Sequence, residues 1–119
     1  DGSSITEVVE LEYDTDQATY TTLAKLDADT NVMAHQGTGN VGEIATFTIP
    51  TDGSAITKVT QVQHSDSWGF WNSMIAIDAN TVLLTYSGSS TDGYLKTFAI
   101  PADGSSITEQ IVIEHDTLT

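Results

Sequence analysis

The chain has 119 residues, the usual size of one domain, and carries 17 acidic residues against three basic ones, for a formal charge of −14. That charge repels phosphate backbones and anionic lipid surfaces, which argues against nucleic acid as a partner and against membrane insertion; without cysteine there is no disulfide framework and no thiolate chemistry. No apolar run reaches the ~18 residues of a membrane span, no signal peptide is visible, and the scattered acidity suits solubility in salty water, as in a marine setting.

In chain order, the sequence opens on DGSSIT (Asp1–Thr6), and DGSAIT (Asp52–Thr57) and a second DGSSIT (Asp103–Thr108) follow at a spacing of 51 residues. Residues 1–51 lie over 52–102 without a gap. Asp27-Ala28-x-Thr30 matches Asp78-Ala79-x-Thr81, and Thr46-Phe47-x-Ile49-Pro50 matches Thr97-Phe98-x-Ile100-Pro101. Residues 103–119 begin a third copy. Because the first residue is also the first of a repeat and is not Met, the chain reads as a piece of something larger.

Period-2 alternation rich in Thr, Val and Ile predicts strands. The first expected strand is Ile5–Tyr13. In the second unit the strands are Ile56–His64, Asn72–Ile77, Thr81–Tyr86 and Tyr94–Ile100, and the last in the chain is Ile107–His115. Each Pro-x-Asp-Gly is a tight turn, because proline cannot continue a ladder and glycine accepts positive φ. No stretch shows helical spacing.

Four antiparallel strands per ~40–50 residues are the mark of a propeller blade, since one sheet cannot bury its faces alone. The repeats resemble β-propeller blade repeats of kelch-like length, specifically the near-identical blades of large acidic repeat proteins in marine microbial sequences. The motifs that carry the resemblance are D-G-S-x-I-T, D-A-x-T and T-F-x-I-P. The kelch double glycine and the Gly-His and Trp-Asp marks of WD40 blades are missing, so no catalytic residue is carried over.

The expected fold is therefore all-β: two four-stranded antiparallel blades plus one extra outer strand. Residues 1–17 are the outer strand of a preceding blade, 18–66 blade one and 67–119 blade two. A propeller closes with about four to eight blades, so the ring must be completed by oligomerisation or by a longer parent chain. Phe47, Phe98, Leu23, Met74, Leu26 and Ile77 are the candidates for packing between blades. The assembly residues are Ile5, Val8 and Leu11 on the first strand and Ile107, Ile111 and Ile113 on the last, where strand exchange with another copy would occur.

The loops before each innermost strand are expected to share one face with the loops between the second and third strands. There, His64, Asp66, Trp68, Phe70 and Trp71 form the candidate ligand site, with aromatic rings to stack on a sugar. Trp71 matches Tyr20 and also reads as a wedge between blades, while Trp68 and Phe70 replace Gln17 and Thr19. Asp14, Asp16 and Asp66 are the metal candidates and calcium is the cation they suggest, although no ligand motif is present and no cofactor is required. Asp27-Ala28-Asp29 is better explained as a hairpin turn than as a calcium loop. The functional expectation is a non-enzymatic, extracellular or cell-surface binding scaffold for glycan or protein. The alternatives are a structural subunit that assembles by strand exchange and a metal-dependent hydrolase.

Overall fold

A computed structural model describes residues 2–116. Its strands are β1 (Thr19–Lys25), β2 (Thr30–Gln36), β3 (Gly42–Thr48), β4 (Thr57–Ser65), β5 (Phe70–Asp78), β6 (Thr81–Ser87), β7 (Gly93–Ala99) and β8 (Thr108–Asp116). They form two four-stranded antiparallel meanders, β1-β2-β3-β4 and β5-β6-β7-β8, called sheets one and two below. Short 3-10 turns at Thr38–Asn40 and Ser89–Thr91 sit at the same repeat position, between the second and third strand of each sheet.

The turns explain the repeated strings. Asp27 Oδ1 accepts the amides of Asp29 (3.0 Å) and Thr30 (2.8 Å), and Asp78 Oδ1 accepts that of Asn80 (2.8 Å). These backbone donors hold both carboxyls below the usual range. A side-chain oxygen committed to its own backbone in this way shapes a hairpin turn. In the Asp-Gly turns, Gly53 and Gly104 donate to the carbonyls of Pro50 and Pro101 at 2.8 Å, and both glycines have φ of 68°.

The sheets stack on each other through unlike faces. Alternation and register put Ala24, Val32, Ala34 and Ile44 on one face of sheet one, with Leu26 beside them. This face packs on Met74, Val82, Leu84, Tyr86 and Phe98 of sheet two, and Ile100 closes the cluster. Ile44, Leu84, Phe98 and Ile100 are among the most buried side chains, and each contributes about 1.5–3 kcal/mol by leaving water. The Asp-Gly turn of the second repeat docks on this joint. Thr30 Oγ1 donates to the Ala102 carbonyl and Thr46 Oγ1 to that of Gly104, the latter at 2.7 Å.

Of the three pairs expected to pack between blades, Phe47 and Phe98 are both buried, in separate clusters, and the other two are split between core and surface. Leu26 and Met74 are buried in the joint, while their repeat twins Ile77 and Leu23 are exposed on the outer faces. The strand expected at Ile5–Tyr13 does not form: an outer strand pairs with the third strand of its own blade, and the third strands β3 and β7 are already paired with β4 and β8. Ile5, Val8 and Leu11 are exposed, whereas Tyr13 packs edge-on against His35 (5.2 Å) and Phe47 (6.1 Å). Ile107 is partly buried against the core, whereas Ile111 and Ile113 stand exposed on β8.

Gly53 and Gly104 share one backbone conformation but not one environment. A Cβ on Gly104 would come 3.2 Å from Thr46, whereas one on Gly53 would meet nothing within 4 Å. Gly53→Ala should therefore cost only the left-handed penalty of about 1–2 kcal/mol. Gly104→Ala should cost clearly more, because it also wedges the two sheets apart. Urea unfolding of both variants checks this, and equal losses would show that the turn does not bear on the joint.

Candidate functional site

Two features of unlike chemistry stand out, one at the junction of the sheets and one repeated on each sheet. The first is a run of rings at the start of each innermost strand. Tyr20 and Trp71 occupy the same repeat position, at irregularities in the β1–β2 and β5–β6 pairing. Both have left-handed backbone, with φ of 53° and 49°, and Trp68 has φ of 50°. For bulky residues this conformation costs roughly 1–3 kcal/mol each. It turns the side chains out of the pleat. Tyr20 meets Phe70 (5.3 Å) and Trp71 (5.7 Å), and Phe70 in turn meets Trp68 (5.2 Å) and Trp71 (5.7 Å). Asn72 ties the group together, its Nδ2 donating to the carbonyls of Gly69 (2.7 Å) and Tyr20 (3.1 Å). Trp71 remains 63% exposed, so it is not the buried wedge that its repeat position suggested.

The second feature is a pair of clefts related by the repeat. The cleft on sheet one, about 460 Å³, is lined by Tyr13, Asp14, Glu43, Lys58 and Gln61. The cleft on sheet two, about 430 Å³, presents the repeat counterparts of these five residues: His64, Ser65, Tyr94, Glu109 and Val112. One architecture thus carries two linings. In the first cleft, His35 Nε2 lies 3.2 Å from Asp14 Oδ2 and 3.1 Å from Glu43 Oε2, and the three ligand atoms fall within 4.8 Å of one another. Asp14 is held below the usual carboxylate range, chiefly by the Asp16 amide bound to its other oxygen. One imidazole and two carboxylates could hold a divalent transition metal. In the second cleft the same positions are Ser65, Tyr86 and Tyr94, which could not.

The residues proposed from sequence are therefore distributed over three places. Trp68, Phe70 and Trp71 come together, joined by Tyr20. Asp66 lies apart from them on the lip of the second cleft. Asp14 and Asp16 share the first cleft, and Asp66 is not with them. His64 is buried: its ring lies over Gly42, where a Cβ would come within 2.2 Å, and it packs edge-on against Tyr86 at 4.7 Å. Sequence reasoning missed His35 and Glu43, because positions 14, 35 and 43 meet only through the folded sheet and no spacing motif marks them.

No family model, curated protein or solved structure matches the chain.

Burial lowers the His64 pKa to about 3, helped by the nearby Lys96 charge. An unfolded histidine takes up a proton near pH 6.5, so the unfolded state gains protons first as pH falls. His64 therefore adds stability that is complete above pH 6.5 and declines towards pH 3, at up to about 1.4 kcal/mol per pH unit. Urea unfolding between pH 6.5 and 5 should show this slope in the wild type. It should be reduced by about one proton in His64→Gln, and an undiminished slope there would assign the proton elsewhere.

Proposed function

We propose that each sheet is one blade of a β-propeller and that the chain is a non-enzymatic, extracellular binding module. Its ligand is a neutral glycan, held on the rings of Tyr20, Trp68, Phe70 and Trp71. The observation that carries this reading is the ring cluster itself, exposed at the junction of the two sheets. Three of its four residues hold a backbone conformation that bulky side chains avoid. A purely structural role would be met more cheaply by relaxed backbone with the rings turned inward.

The ligand class follows from charge and shape. The C–H face of a sugar ring stacks on aromatic planes, and polar backbone groups of the loop that carries Trp68 offer partners for hydroxyls. A chain with a formal charge of −14 disfavours sulfated or uronic acid chains by general repulsion. The twin clefts support the scaffold reading, since one frame displays different side chains at equivalent places.

A second reading, a structural subunit that joins copies by strand exchange, is favoured by one contact. Residues 2–14 bring Tyr13 onto His35 of sheet one just where β4 brings His64 onto Tyr86 of sheet two. Tyr13 and His64 are repeat counterparts, so the N-terminal segment holds the place of a preceding blade's outer strand.

A glycan array probed with wild type and Trp68→Ala tests the binding reading. Wild type should retain neutral glycans, and Trp68→Ala should lose about tenfold or more in affinity, the loss of one good stacking contact. Absence of binding by both proteins would remove it.

A further inference from the structure

The joint inside the chain is a template for a joint between chains. Its sheet-one side is Ala24, Leu26, Val32, Ala34 and Ile44, with Val62 packed against them. The repeat counterparts of these residues are Ile75, Ile77, Leu83, Thr85, Leu95 and Ile113, and all of them lie on the outer face of sheet two. Ile75 is 59% exposed and Ile113 55%, which leaves a broad apolar sheet face in water. The sheet-two side of the joint contains Leu84, Phe98, Ile100 and Ile107. Their counterparts Met33, Phe47, Ile49 and Ile56 form the smaller cluster on the outer face of sheet one. That cluster borders an apolar hollow of about 210 Å³, covered in part by Leu11 and Tyr13. Leu23, the counterpart of the buried Met74, stands beside it 60% exposed.

The two free faces are thus the two halves of a joint the chain already makes once. We propose that the occupant of each is a second copy of this chain, stacked head to tail, with the outer face of sheet two on the outer face of sheet one. The same polar lock is available. Thr81 and Thr97, the counterparts of Thr30 and Thr46, would donate to the carbonyls of Thr51 and Gly53 in the next copy. This is why the first Asp-Gly turn has open space around Gly53. Tyr13 and His115 are both repeat counterparts of His64. In each added contact the N-terminal segment of one copy therefore lies where the template puts β8 of the other, and it must be displaced for the joint to close. A second departure from the template is visible. A Cβ on Gly69 would come 2.3 Å from the Gly42 Cα, and the counterpart of Gly69 is Ala18, so the joint between copies is wider at that edge.

The contact is heterologous, so the operation repeats until it closes into a ring or grows as a filament. Every copy carries −14, and added salt should tighten the association by screening that repulsion. The inference rests on the blade reading and needs no ligand at the ring cluster.

Sedimentation equilibrium of the 119-residue chain, across roughly 10 µM to 1 mM, tests it. Wild type should exceed its 12.7 kDa monomer mass, and more so at high salt. Leu23→Glu and Ile75→Glu each disable one free face at an exposed position, so each alone should be monomeric with an unchanged melting temperature at low concentration. Mixed in equal amounts, they should form a dimer and nothing larger, because each supplies the face the other lacks. A monomeric wild type, a variant that still self-associates, or a mixture that stays monomeric would overturn the proposal. Glycan binding by a monomer would remain readable in that case, and the Gly104→Ala unfolding reads the joint within the chain independently.

Discussion

Everything in this molecule depends on a sheet that is apolar on both sides. An ordinary antiparallel sheet in a small domain turns one face to water, and its strands alternate accordingly. Here Val32 and Met33, or Leu83 and Leu84, follow one another on opposite faces, so each sheet requires two partners. Within one chain each sheet has only one. The packing of Ile44 and Ala34 on Leu84 and Phe98 satisfies half of that demand and fixes the orientation of the pair. Hairpin turns, hydroxyl locks and the ring cluster at the junction all take their positions from it.

Much of this was legible in the sequence because the repeat reports geometry twice. Strand content, the turn chemistry of Asp27 and Asp78, and the role of glycine in the Asp-Gly turns follow from local rules that the fold respects. The first strand was misread for a non-local reason. Ile5–Tyr13 has the same pattern as β4 and β8, but a pattern does not say whether an edge is vacant, and the third strands β3 and β7 are already paired with β4 and β8. His64, placed from sequence with the aromatic residues of the candidate ligand site, is buried for a non-local reason too: the absence of a side chain at Gly42, across the ladder, makes room for its ring.

The divergence between repeats is concentrated where the frame is indifferent to it. Lining residues of the two clefts change from the carboxylates of Asp14 and Glu43 to the hydroxyl of Ser65 and the phenol of Tyr94, while the turns stay alike. Asp14, His35 and Glu43 meet because three separate strands or loops bring them to one point, a relationship that sequence spacing cannot display. Tyr20 and Trp71 keep their left-handed backbone in both repeats, so the outward turn belongs to the frame and the choice of ring belongs to the individual unit.

The close approach of Gly69 to Gly42 has a consequence for the order of events. Where the chain meets itself, a missing side chain lets two backbones nearly touch; at the equivalent edge of the proposed contact between copies, Ala18 would stand in the way. The covalently linked pair of sheets is therefore the tighter unit, and a tether also gives it a high local concentration. Folding within the chain then precedes any growth beyond it. In the proposed assembly a single methyl group would separate the fold of one chain from its contact with the next, a hierarchy written into otherwise similar repeats.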